Sequence, residues 1–482
     1  MIRRTLAVLL VCSFRQGAWA QSPSEMKPVT DRLAASIYTG SSMATLRELT
    51  DSFGARLTGS PAYQRSAEWA VEKFRSYGIQ DVKLEPFTIP AGWQRGSASG
   101  TMVSPISRTL AIASLGWTPS TPAGGVKGSV VMISDVSPEK LKDSDRFRGK
   151  ILLLDGSKIF EEGYVKALPK LDAAWPVFQK AGALAIVLTD REKNNVLNAH
   201  DMLWGARLLP LPGAEIGMED GKQIMRLLDN GPVVISLTIT NETSGETKVN
   251  NVVAEIRGSE RPDEWILIGA HLDSWDFATG AQDNGAGTAS VLEVARVFAS
   301  LGKPPRRSIR FALWGGEEQG LLGSYAYVQA HTNELNKCVA VLNTDNGAGH
   351  PRGWKVEGRK DLKQAMQPWS DGLLKDLNGG DLSLETTYDT DHGPFILHGI
   401  PALDLWVDES KYFEIHHKAS DTIDKVDVLD FKAGEAIVAV TAYMVAQSQS
   451  PIAPHIDHAS VGDILKDAKL DELLEHVGVW KP

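Results

Sequence analysis

The 482-residue chain has only two cysteines, Cys12 and Cys338. This excludes a disulfide framework and a cysteine-based structural zinc site. It also has too little positive charge for a broad nucleic-acid-binding surface: 50 Lys and Arg stand against 60 Asp and Glu, a net charge of −10. No segment approaches ~18 uninterrupted apolar residues, so no membrane-spanning segment is expected in the mature protein. Repeats and low-complexity tracts are absent as well. What remains, with 43% hydrophobic and 23% charged residues, is the composition of an ordinary globular enzyme or binding protein.

The first residues, "MIRRTLAVLLVCSFRQGAWA", carry Arg3 and Arg4, an apolar run from Leu6 to Phe14, and Ala18-Trp19-Ala20. That pattern reads as a signal peptide over residues 1–20, cut after Ala20, and implies a secreted or periplasmic protein. Its removal leaves Cys338 as the lone thiol, so the fold must be held by its core or by metal.

Four further divisions follow. Residues 21–100 read as helix, helix and strand: "SMATLRELTDSF" and "AYQRSAEWAVEKFRSYG" have helical apolar spacing, and "DVKLEPFTI" alternates. Residues 101–245 hold short β-like runs between Gly- and Pro-rich connectors and read as a mostly β insertion. Across residues 246–450 the apolar runs "WILIGA", "IRFALW", "VAVLN" and "PALDLWV" alternate with helical stretches. This predicts an α/β domain with a mixed, largely parallel sheet flanked by helices. Residues 451–482 form a C-terminal tail.

The chemistry gathers at the ends of those runs, where ligands bind in open α/β sheets. "WILIGA" leads into His271 and Asp273, "IRFALW" into Glu317 and Glu318, "VAVLN" into Asp345, and "PALDLWV" through a loop to His416 and His417. Each has a bland reading. Asp283 before "NGAGTASVLEVA" suits a helix N-cap, the two glutamates suit a solvated helix start, and the two histidines suit a surface. Their conjunction is harder to explain that way. Histidines with carboxylates and no cysteine are the ligand mix of catalytic zinc, and five ligands suit a pair of ions sharing one carboxylate. One glutamate is then left over as a general base.

The order H-x-D (His271, Asp273), D-N (Asp283, Asn284), E-E (Glu317, Glu318), Asp345 and H-x-x-x-D (His417, Asp421) resembles the co-catalytic di-zinc exopeptidases. These include bacterial leucyl aminopeptidases and glutamate carboxypeptidases. "HLDSWDFATGAQDNGAG", "WGGEEQGLLGSYAY" and "YFEIHHKASDT" are most similar to the plasma glutamate carboxypeptidase branch. The resemblance spans roughly residues 40 to 450, with 101–245 similar to a protease-associated domain. It implies two Zn2+ per chain, with Asp283 bridging, His271 and Asp345 on one ion, and Glu318 and His417 on the other. It also implies Asp273 as support for His271 and Glu317 as general base. Trp275, Asp276 and His392 are candidates for contact with substrate, and Asp421 for a support or, more simply, a helix cap.

The resulting expectation is a zinc metallopeptidase acting on dipeptides or short peptides as a carboxypeptidase or dipeptidase. It needs no nucleic acid and no membrane, and the resemblance is compatible with a homodimer. An aminopeptidase of the same family is the near alternative. A glutaminyl cyclase-type transferase and a non-catalytic receptor on the same fold are the distant ones.

Overall fold

Apolar runs of five to seven residues become the centre of an eight-stranded sheet. The computed structural model describes residues 23–482, so the expected signal peptide and Cys12 lie outside the described residues. The central strands are Arg307–Trp314, Arg261–His271, Cys338–Asn343 and Ala402–Val407, adjacent in that order and all parallel. Their side chains are buried on both faces, which is why they read as continuous rather than alternating apolar runs. Antiparallel strands flank them: Thr247–Ile256 and Asp81–Ile89 on one side, Pro351–Lys355 on the other, with Asp381–Ser383 at that edge.

Helices Ala286–Ala299 and Val428–Gln447 pack against this sheet. Both are buried along most of their length, because helix Pro23–Tyr38 covers their outer side. Each large aliphatic side chain enclosed in this core contributes about 1.5–3 kcal/mol. The parallel strands therefore hold their carboxyl ends in fixed relation, and the candidate residues stand at those ends.

The chain leaves the first sheet at Ile89, builds a second eight-stranded sheet, and returns at Thr247. The second sheet opens with strand Trp93–Ser104, earlier than the expected boundary at 101. "WQRGSASGTMVS" buries only Trp93, Gly100 and Met102, so its apolar signal is too sparse to read as a strand. Strands Val126–Ile133, Ile151–Leu154, Ala185–Thr189 and Gly213–Ile216 are parallel, and helices Tyr164–Ala181 and Met218–Leu228 accompany them. Among the described residues no helix is long and apolar enough to cross a membrane.

The two sheets meet beside the first sheet's carboxyl ends. Trp93 stacks on Trp117, which meets Trp275 edge-on at 6.1 Å. Arg95 Nε–H from the second sheet donates to both carboxylate oxygens of Asp276, at 3.0 and 2.9 Å. The loop after Ala185–Thr189 is tied to the first sheet by main-chain bonds: Ala199 N–H donates to His417 O (2.7 Å) and Gly205 N–H to Gln319 O (2.8 Å).

Candidate metal centre

His271 is the last residue of its strand, and its ring is buried. Nδ1–H donates to the main-chain carbonyl of Asp273 at 2.9 Å, which leaves Nε2 facing the cluster. Nε2 lies 3.0 Å from Asp345 Oδ1, 3.1 Å from Asp283 Oδ1 and 3.8 Å from Glu317 Oε2. The other oxygen of Asp283 lies 3.3 Å from His417 Nε2, and that nitrogen is 2.9 Å from Glu318 Oε2. One carboxylate thus stands between two imidazoles, with one oxygen toward each.

Local structure explains this placement. Asp283 precedes helix Ala286–Ala299 but does not cap it: Asn284 Oδ1 accepts from Gly287 N–H at 2.9 Å, which frees the Asp283 carboxylate. Gly287 is required there because a Cβ would strike the Thr344 carbonyl, next to Asp345. Asp421 is not a helix cap either. Its two oxygens accept from the main-chain N–H groups of Gln282 (2.7 Å) and Asp283 (3.1 Å), fixing the loop that presents Asp283. His417 adopts a left-handed backbone conformation, φ 60°, uncommon for a non-glycine residue and found at sites where surrounding structure enforces it.

Asp273 acts differently from the expected carboxylate–imidazole contact. Its Oδ1 is 3.7 Å from His271 Nδ1, while its main-chain oxygen takes the hydrogen bond. The carboxylate instead accepts from Thr58 Oγ1 (2.6 Å) and from the N–H groups of Glu317 (3.3 Å) and Glu318 (3.4 Å). It therefore joins the His271 strand to the turn that carries both glutamates.

Sequence reasoning missed Arg56, in a segment that reads only as a turn-rich junction. The side chain is fully buried and donates to the carbonyls of Leu272 (2.7 Å), Thr279 (2.6 Å) and Gly280 (2.9 Å). Burial lowers its pKa to about 10, opposed by Asp421, Asp273 and Asp283, so it stays charged at neutral pH. Arg56→Met should lower zinc affinity by about 10- to 100-fold, the range for residues that orient ligands, and lower the melting temperature through orphaned carbonyls. Competition against a chelating indicator measures the first, and calorimetry the second. Parental affinity in a stable variant would show that the 272–280 loop holds its shape without this residue.

The electrostatics call for a cation. Burial raises Glu317 well above the usual carboxylate range; burial and then Asp283 raise Glu318 to about 7. Burial raises Asp345 to about 7 against the pull of His271. Burial also works against the charge on Asp283, yet His271 and His417 on either side hold it well below that range. Among the described residues no lysine or arginine pairs with these four acids; their ion-pair partners are the imidazoles. Protonated histidines are thus the local counter-charge: Glu318 and Asp283 overcome burial and raise His417 to about 10. A divalent metal would replace those protons.

The donor set fits zinc. His271, Asp283 and Asp345 offer ligand atoms within 4.8 Å of one another, as do Asp283, His416 and His417, and imidazole with carboxylate is a catalytic zinc set. Asp283 belongs to both groups. The structure draws in His416 too, whose Nε2 is 3.3 Å from Asp283 Oδ2. Its ring stacks on His417 at 3.7 Å, and burial lowers its pKa to about 3. Unlike His417, it forms no ion pair with Glu318 among the described residues.

A cavity of about 490 Å³ opens over this cluster and is walled on the far side by the second sheet's loop. Trp275 lies on its wall, with its main-chain N–H donated to Glu318 Oε1 at 3.1 Å and its ring edge-on to His417. Two other expected substrate residues lie elsewhere. Asp276 is committed to Arg95 at the junction of the sheets, and His392 is buried against Glu357, 3.2 Å away; neither lines the cavity. Both have long-range partners that local sequence does not reveal.

Comparison with known proteins agrees with this geometry. The profile of peptidase family M28 matches residues 251–442. Carboxypeptidase Q of Mus musculus is 31% identical over 412 residues, covering 85% of this chain and 86% of that protein. A peptidase M28 precursor from Shewanella amazonensis has a similar structure, with a TM-score of 0.77 and 29% identity, covering 89% of this chain and 99% of that one. A zinc aminopeptidase from Bacillus subtilis shares the fold at a TM-score of 0.66 and 21% identity, covering 86% and 97%. With that identity sustained along most of both chains, the protein belongs to peptidase family M28.

Proposed function

We propose that the protein is an exported dipeptidase or carboxypeptidase-type exopeptidase that holds two zinc ions per chain and uses Glu317 as its general base. In this reading Asp283 is shared between the ions, with His271 and Asp345 on one and Glu318 and His417 on the other. The observation that carries it is the Asp283 carboxylate, which turns one oxygen to each imidazole, at 3.1 and 3.3 Å. Zinc held there supplies Lewis acidity, which brings the pKa of water from 15.7 to about 7.

The protein's own groups supply the rest. Glu317 faces the cavity beside the ligand cluster without an ion-pair contact shorter than 3.8 Å among the described residues. Its carboxylate takes the proton of the attacking water and passes it to the amine nitrogen as the peptide bond breaks, so that water and peptide become acid and amine. Trp275 and the 190–204 loop close the sides of the cavity and limit it to the end of a short peptide. Residues 101–245 are proposed as the protease-associated-like part and 1–20 as the export signal.

The test is direct. Purified mature protein should bind about two zinc ions, measured by elemental analysis after dialysis, and should hydrolyse unblocked dipeptides. One ion together with cyclisation of N-terminal glutamine would overturn the reading, as would a stable protein without metal.

A further inference from the structure

The two halves of the metal centre differ in what holds them. His271 and Asp345 stand at or just past strand ends of the first sheet. Among the described residues no hydrogen bond or ion pair joins either of them to the second sheet's segment, residues 93–243. Glu318 and His417 stand in irregular turns instead, and the second sheet's 190–205 loop is bonded beside each of them. Ala199 N–H donates to His417 O at 2.7 Å, and Gly205 N–H donates to Gln319 O, next to Glu318, at 2.8 Å. The bond from Ala199 is the one main-chain hydrogen bond that His417 makes among the described residues. It falls on a residue at φ 60°, a conformation that surrounding structure must enforce.

Three further contacts tighten this hold. Buried Lys418 pairs with Glu192 of the loop at 3.2 Å, and its ammonium also donates to the carbonyls of Phe413 (2.9 Å) and Glu414 (3.2 Å). The Ala199 side chain is buried in the first sheet's apolar core, together with Trp117 and Trp275. The Trp275 ring, edge-on to His417, lies so close to Gly116 of the second segment that a Cβ there would come within 2.6 Å of it. On its other side the loop is anchored in the second sheet. Asn198 N–H donates to Glu215 Oε1 at 2.8 Å, and Glu215 is buried in strand Gly213–Ile216. A loop built into both sheets in this way is a fixed part of the site rather than a lid over it.

We propose that the 190–205 loop positions His417 and Glu318, so that docking of the loop and zinc binding at that half of the centre are thermodynamically coupled. This rests on the two-zinc reading above and gives the second sheet a part in holding metal. Coupling of this kind is reciprocal. If the docked loop tightens zinc at His417, zinc at His417 must hold the loop docked by the same factor. The half formed by His271 and Asp345 should be indifferent, because its ligands take no bond from the loop.

The first experiment needs no variant. Hydrogen exchange at the Ala199 amide is followed in the full-length mature protein, without metal and with saturating zinc. Zinc should slow that exchange by about 10- to 100-fold, the range for groups that orient metal ligands. The second experiment removes the bond. Ala199→Pro has no N–H to donate and should weaken zinc binding by about 10- to 100-fold at one position only. Dialysis at graded free zinc should then take it from about two ions toward one. Combined with Asp345→Ala, which removes a ligand of the other position, it should fall toward none. Ala199→Gly keeps the N–H and should bind zinc within about 5-fold of the parent, the worth of glycine's extra freedom. Glu192→Ala, a change at a half-exposed residue, should cost about 2- to 5-fold at the same position and decides the matter if Ala199→Pro does not fold. A parent that binds two ions with no change in exchange at Ala199 overturns the coupling alone. So does a folded Ala199→Pro with parental affinity at both positions, or with equal loss from both, which would mark general damage. A parent that takes up no zinc removes the two-zinc reading and this coupling with it.

Discussion

Glu317→Gln should lose about 10²–10⁴-fold in kcat, the contribution of a well-placed general acid–base group, and keep the parent's zinc content. The amide preserves shape and burial but cannot accept a proton at neutral pH, so the variant isolates proton transfer from folding. Geometry predicts why metal should stay. Glu317 is 3.8 Å from His271 Nε2, whereas Asp345 and Asp283 are at 3.0 and 3.1 Å from that nitrogen and Glu318 is 2.9 Å from His417 Nε2. KM should therefore change little while kcat collapses, the pattern of an interaction made only in the transition state. Paired measurements of zinc and steady-state kinetics decide it. A variant with substantial kcat takes Glu317 out of the base role, and one that loses zinc makes it a ligand.

Much of the centre was readable because parallel strands buried on both faces announce themselves as apolar runs, and the residue after each run stands at the sheet's carboxyl edge. His271 after "WILIGA" and Asp345 after "VAVLN" needed no more than that. The supporting residues were not readable, because their partners are distant in sequence. Arg56 meets carbonyls more than two hundred residues away, and the Asp276 partner Arg95 sits in a strand too poor in apolar side chains to detect. Asp421 reads locally as a cap, yet its bonds go to the main chain of Gln282 and Asp283. Strand Thr247–Ile256 escaped for a different reason. Its first half pairs polar residues with the edge strand, so only its second half looks apolar. The far wall of the cavity was the least legible part: Asn198 and Asp201 lie in an irregular loop whose importance comes from two main-chain bonds to the first sheet.

Asp283→Ala should remove both zinc ions together. Every other proposed ligand faces one group only, but Asp283 places Oδ1 at 3.1 Å from His271 and Oδ2 at 3.3 Å from His417. Without it, each group keeps one imidazole and one carboxylate, fewer than the three protein ligands a catalytic zinc ordinarily takes. Affinity should fall by more than about 100-fold at both positions, beyond what loss of a merely orienting residue costs. Asp345→Ala provides the contrast, since it belongs to the His271 group alone and should leave the ion at His417 in place. Zinc content after dialysis at graded free-zinc concentrations measures this. The expected results are a fall from about two ions toward none in Asp283→Ala and toward one in Asp345→Ala. The fold should survive both changes, because the main-chain N–H of Asp283 remains bonded to Asp421, and Asn284 still caps the helix that follows. If Asp283→Ala instead keeps one tightly held ion, the carboxylate serves a single metal, and His416 beside His417 becomes the candidate to complete the other site.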